Sequence, residues 1–273
     1  MLLAATFDDQ AKVHDGVGAL HELHSGGMIT VYAHALLERD RRRSRLSVRE
    51  PFHEGMVAAA PAAAALVGAL VSLVGGPMTA AMLTLESGLV GTVRDVVEAG
   101  LDPTFLEDVT ATLRSGNFGL VAEVELEDPL PLESSMASLG ARIACQEGNG
   151  VRLEELLVRE AETLRRSHSR LFTCSPQDVG GAPARAMRRA SVSDLRRSVE
   201  RARLHASALR REAVAKVAVL RAQAALTDRS ARQQVELRAG RVRTALEERA
   251  RQLDRLIEDI APLLRPAQGS GRS

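Results

Sequence analysis

The strongest constraint on this chain is a run of 31 residues, 55–85, without a single charged side chain; Glu86 is the only charge between that run and Arg94. It reads GMVAAAPAAAALVGALVSLVGGPMTAAMLTL. Small residues recur every four positions through it and just beyond, at Ala60, Ala64, Gly68, Ser72, Gly76, Ala80, Thr84, Gly88 and Thr92. Residues four apart share a helix face, and a row of small ones lets two helices approach closely, the glycine-zipper pattern. One straight helix cannot carry the whole row, because a four-residue repeat drifts around a 3.6-residue turn. Gly75-Gly76-Pro77 breaks it near the middle. The stretch therefore reads as two apolar helices, 56–75 and 77–93, folded as a hairpin. Its helix-packing residues are Ala60, Ala64, Gly68, Ser72, Gly76, Ala80 and Gly88.

The rest of the composition suits helices better than a deep substrate pocket. In 273 residues there is no Trp, one Tyr and five Phe, so the aromatic anchors that supply much of an ordinary core are missing. The net charge of +1 hides a split. Residues 1–150 carry ten basic against twenty acidic side chains, and residues 151–273 carry 26 against 15. Such asymmetry suggests an anionic partner for the basic half, or attraction between the halves. All basic residues are Arg except Lys12 and Lys216. Cys145 and Cys174 are too few to frame a disulfide scaffold. The opening MLLAATFDDQ has no basic segment before an apolar run, so a cleaved secretion signal is not expected.

Taken in order, residues 1–7 (MLLAATF) read as a buried strand. Asp8 then suits a helix N-cap, with a helix to about Ser25 whose Val13, Val17, Leu20 and Leu23 share a face. Gly26-Gly27 ends it, and 28–37 (MITVYAHALL) reads as a second strand. Residues 38–50 form a polar connector with six Arg. After the apolar hairpin, Asp102 and Pro103 suit the cap and first position of a helix to about Leu113. Residues 118–126 read as a strand, 132–139 as a helix closed by Gly140, and 141–145 as a short strand. The order β-α-β, insert, α-β-α-β predicts an α+β fold: a split ferredoxin-like sandwich with an inserted apolar helical hairpin, followed by a long helical coiled-coil tail.

The junction Phe7-Asp8-Asp9, the apolar insert, and the segment GLDPTFLEDVTATLRSGNFGLVAEVE over 100–125 together resemble a family of bacterial proteins of unknown function commonly labelled predicted membrane proteins. The resemblance covers roughly 1–147. It implies the split sandwich and the insert, and it implies no activity.

The expected domains are then 1–147 with its insert at 55–93; 148–183, a helix and flexible linker containing CSPQDVGGAP; 184–265, a long Arg-rich helix; and 266–273, a disordered tail. Over 184–264 apolar residues recur at a spacing of three to four, and only Gly240 interrupts before Pro262. That suits a coiled coil or a long helical hairpin, and self-association through its seam.

Motifs for catalysis are absent: there is no P-loop, GxGxxG, HExxH, GxSxG or CxxC pair. No catalytic, cofactor or metal residues are assigned, and the chain is read as no enzyme. His14, His21 and His24 share one helix, for which a solvated face is a plainer reading than a metal site. Glu86, alone in the apolar stretch, reads as the end of the second leg. Arg188-Arg189-Ala190-Ser191 has the look of a kinase site, a pattern common by chance in Arg-rich chains.

Three functional readings follow. The first is a membrane-associated scaffold, anchored by the hairpin in membrane lipid, with both termini cytoplasmic because the six Arg of 38–50 lie beside the first leg. It would form homo-oligomers through the coiled coil. The second is a soluble, cytoplasmic oligomer with the hairpin buried in the assembly. The third is a nucleic-acid-associated protein. The third is opposed by the 15 acids interspersed in the basic half and by the lack of stacking aromatics over 173–273. No small-molecule substrate is evident.

Overall fold

The computed structural model describes residues 1–40, 45–50, 59–74, 101–115, 118–146, 158, 162 and 182–264. Strand β1 (Leu2–Phe7) is buried along its whole length. Helix α1 (Gln10–Ser25) is capped by Asp9, whose carboxylate accepts the Ala11 N–H at 2.8 Å. The cap lies one residue later than expected, and Asp8 instead faces Arg142 at 3.7 Å. At the other end Gly27 takes a φ of 75°. Its N–H bonds to the His24 carbonyl and the Met28 N–H to the Leu23 carbonyl, each at 3.0 Å. That double closure needs a left-handed residue, and glycine adopts one without strain.

Strand β2 (Ile29–Asp40) runs past the expected end, and Arg45–Glu50 forms β3, paired antiparallel with it. The connector expected over 38–50 is therefore largely a pair of strands. Leu46 and Val48 alternate with Arg45, Ser47 and Arg49, and Leu46 is fully buried; the neighbouring arginines hid that period of two. With β4 (Phe118–Leu126) and β5 (Arg142–Gln146) the strands make one sheet in the order β3-β2-β4-β1-β5, and every neighbouring pair is antiparallel. A bulge between Val31 and Ala33 inserts Tyr32 into β2.

One face of the sheet packs on α1 and on α4 (Leu130–Ser138). Leu3, Phe7, Ile29, Val31, Leu120 and Val124 meet Val13, Leu20, Leu132 and Met136 there. The other face meets α2 (Pro61–Val74), which packs against β2, β3, β4 and α3 (Pro103–Ser115). Asp102 caps α3 through the Thr104 N–H at 2.8 Å, with Pro103 at the first position, as expected.

Helix α2 is the first leg of the apolar stretch. It starts at Pro61, a residue that suits the first helical position. Leu66, Val67, Leu70 and Val71 are all fully buried. Ala60 and Ala64 of the small-residue row are buried too. At Gly68, however, a Cβ would meet nothing within 4 Å among the described residues. Gly68 thus lies on a half-exposed stripe with Pro61 and Ala65, and the leg expected to approach it lies outside the described residues. Ser72 also lies in α2. Gly76, Ala80, Thr84, Glu86, Gly88 and Thr92, with the whole second leg, lie outside the described residues. No described helix is long and apolar enough to cross a membrane.

The tail holds two long helices, α5 (Ala182–Leu226) and α6 (Arg229–Ile260), with a 3-10 turn at Ala261–Leu264. The break falls at Thr227-Asp228, where the Asp228 carboxylate accepts the Ala231 N–H at 2.8 Å. Arg232 reaches back to the Ala224 carbonyl at 2.8 Å, a cation at a helix C-terminus. Gly240, the interruption expected from sequence, lies inside α6.

The chain divides into two compact units. The first joins Met1–Asn149 to Arg211–Ala245, so it takes in the middle of the tail as well as the sheet. The second comprises Gly150–Arg210 and Leu246–Ser273. Its core sets Leu195, Val199, Ala202, Ala206 and Leu209 against Ala250, Leu253, Ile257 and Ile260. Spacings of four and three keep each set on one helix face. Arg210 pairs with Asp254 beside this core. In this unit the apolar faces of the two helices thus pack on each other.

Candidate functional site

The most densely charged buried place in the first unit lies between the sheet and the 211–245 segment. Lys216, on α5, reaches Glu123 of β4 and Glu212 one turn earlier, each at 2.8 Å. The order Glu then Lys at four-residue spacing is the favourable one on a helix. Glu123 stands between Ala122 and Val124 on a mostly apolar strand and is 5% exposed. Its second oxygen accepts the Ala63 N–H at 3.2 Å. That N–H belongs to the first turn of α2, where unpaired amides and the helix dipole favour an anion. The bulge in β2 brings the Tyr32 ring to 4.7 Å from the Lys216 ammonium, a cation–π contact.

Burial alone would push the Lys216 ammonium toward neutrality, but Glu123, Glu212 and their hydrogen bonds outweigh it and hold the pKa above the ordinary lysine range. A lysine acts as base or nucleophile only when neutral. This one is locked in its charged form. Burial, and next Glu125, push the Tyr32 phenol above its usual value as well. Its hydroxyl finds no partner among the described residues. Neither group is primed for chemistry near neutral pH.

A second polar cluster grips the turn between α1 and β2. The Gln223 side chain donates to the carbonyls of His24 and of Ile29, the latter at 2.7 Å, and accepts from the Thr30 hydroxyl at 2.7 Å. Arg238 of α6 donates to that same hydroxyl at 3.0 Å. Gly27 fits beneath α6 so closely that a Cβ there would stand 2.7 Å from that of Ala231. Farther along, Arg241 pairs with Glu127 at the surface.

An open groove of about 320 Å³ runs between α5 and α6, floored by Val217, Leu220, Ala224 and Gly240 and rimmed by Arg221, Glu236 and Arg243. Among the described residues its lining holds one carboxylate, Glu236, and no Ser, Thr, Cys, His or Lys.

Of the residues singled out from sequence, His14 is exposed. His21 stacks edge-on against His34, with ring centroids 5.4 Å apart. His24 accepts the Val31 N–H at 3.1 Å through Nδ1. Among the described residues no three metal-binding side chains come together. The stretch Arg188-Arg189-Ala190-Ser191 lies within α5. The clusters around Lys216 and Gln223 were missed. Their only signals were a lone lysine in an arginine-rich tail and a lone acid, Glu123, in the run LVAEV. Comparison with protein families, characterised proteins and solved structures finds no match to this chain.

Proposed function

We propose that this chain is a non-enzymatic scaffold protein: a ferredoxin-like head, split after its second strand, onto which its own C-terminal helices are clamped as an antiparallel coiled coil. The strand order supports the head. With β3 set aside, β2-β4-β1-β5 is the order of a ferredoxin-like sandwich, and the chain between β3 and β4 is the insertion that splits it. The 4-3 spacing of Leu195 through Leu209 supports the coiled coil.

One observation carries the non-enzymatic reading. The most buried ionic cluster is spent on joining the chain's own elements: Lys216 is saturated by Glu123 and Glu212, and Glu123 in turn by the α2 amide. In this reading the apolar stretch serves the head as core, because α2 lays Leu66, Val67, Leu70 and Val71 against strands and α3. Lipid is then no partner of α2, and the coiled-coil seam is closed within one chain.

Fractionation of the expressed full chain tests this. A carbonate wash should release it from the membrane fraction. Retention until detergent is added would restore lipid anchorage and overturn the core role of the apolar stretch.

A further inference from the structure

The grip of α5 and α6 on the α1–β2 turn contains one side chain that can change charge in the physiological range. His24 offers two acceptors there. Its carbonyl takes a hydrogen bond from Gln223, and its ring Nδ1 takes the Val31 N–H at 3.1 Å. An imidazole accepts only through an unprotonated nitrogen, so the ring is neutral with its hydrogen on Nε2. Arg238 enters the same turn, 3% exposed. All its hydrogen bonds go to neutral oxygens: the Thr30 hydroxyl at 3.0 Å and the Gly27 and Met28 carbonyls at 3.4 Å. Its Nε has no partner among the described residues.

We propose that this turn is a proton-operated latch, in which protonation of His24 releases the 211–245 helices from the sheet. A proton on Nδ1 removes the acceptor for Val31, which directly follows Thr30, the β2 residue to which the helices are bonded. It also places a second cation beside a buried guanidinium that no carboxylate among the described residues pairs with, and uncompensated buried charge is costly. The two charged or titratable groups acting on His24, His21 and Arg238, both oppose its protonation. His21 lies one turn earlier on α1, and Arg238 comes from α6. Strand β2 adds His34, edge-on to His21, and α5 presents the uncharged Gln223. Burial first, then His21, then Arg238 hold the ring below the ordinary histidine range.

The direction of the switch follows by linkage. A free His24 takes up its proton near about pH 6.5, and the docked ring takes it up at lower pH. The released state therefore binds more protons. Docking is at full strength above about pH 6.5 and weakens as pH falls from there toward the docked value.

Hydrogen exchange of the full chain at about pH 7.5 and about pH 5.0, corrected for intrinsic rates, tests the latch. Peptides from 211–245 and from β2 should lose protection by up to about tenfold per pH unit within the window, while β1 and β5 keep theirs. His24→Asn retains an acceptor oxygen and cannot titrate, so it should keep protection at both values. An equal acid loss in His24→Asn, or none in the natural chain, overturns the latch. Glu123→Gln separates the other acid-sensitive contact: disappearance of the acid response in that variant would make the Lys216 pair the sensor and overturn the role of His24. Should His24→Asn fail to fold, the imidazole signals of the natural chain decide. Titration of His24 must coincide with loss of protection, and titration with the helices still protected overturns the proposal.

Discussion

Lys216, Glu123 and Glu212 form a buried triad whose worth depends on completeness. Two charges taken out of water lose several kcal/mol each in hydration, and good geometry recovers it. Both contacts of the ammonium are at 2.8 Å, and Glu123 has a second partner in the Ala63 N–H. Lys216→Met keeps most of the stem and removes the charge, which strands a buried carboxylate. Urea unfolding should show a loss of ~3–5 kcal/mol. Adding Glu123→Gln removes the more buried of the two carboxylates that lose the ammonium while its amide oxygen still accepts from Ala63, so the double variant should regain much of that loss. A double variant as unstable as the single one would mean that packing of the lysine stem, and not charge, holds the site. From sequence the triad was out of reach, since Glu123 and Lys216 stand 93 residues apart. Spacing can join Glu212 to Lys216 on one helix face, but it cannot say which strand that face meets.

At the scale of elements, much of the head was legible where the local signals were self-contained. Asp102 and Pro103 start a helix, Gly140 at a φ of 72° stops one, and the 118–126 strand has the expected bounds. Elements were misread where a stronger local feature masked a weaker one. The arginines of 38–50 hid the alternation that makes β3. Gly240 drew attention from Thr227-Asp228, whose side-chain cap turns one long helix into two. The apolar stretch is ambiguous for a different reason. A helix without charges is equally suited to lipid and to a protein core, and sequence alone does not show that α2 packs against strands and α3. Its partition has a direct consequence. Gly68 has open space at its Cβ position among the described residues, whereas Leu70 is fully buried. Gly68→Ala should therefore stabilise the chain by about 0.5–1 kcal/mol through helix propensity. Leu70→Ala should cost ~2–5 kcal/mol by leaving a cavity. Thermal unfolding of both variants checks the pair. A destabilising Gly68→Ala would instead point to a close helix contact at the small-residue row.

At the scale of the molecule, the split in charge between the halves has a structural counterpart. The acidic half contributes Glu123 and Glu127 and the basic half Lys216 and Arg241, paired within the first unit. The exposed Arg241–Glu127 pair is worth little, as such pairs generally are. The buried contacts matter more: Tyr32, Thr30 and Glu123 are at most 5% exposed, and the 211–245 segment contributes to their cover. A head cut after residue 149 would keep every strand and lose that cover. It would expose Tyr32 and an unpaired Glu123 on the face opposite α1. Such a fragment should unfold at lower urea and with a shallower slope than the sheet does in the whole chain, because less surface is buried and cooperativity falls. A separate 182–264 polypeptide, added in excess, should restore the midpoint by binding only the folded head. The same polypeptide carrying Gln223→Ala and Lys216→Met should restore far less, since it lacks both grips. A fragment 1–149 as stable as the whole chain, or rescue that ignores those two substitutions, would show that the head folds by its own α2 and α3 and that the long helices only rest on it.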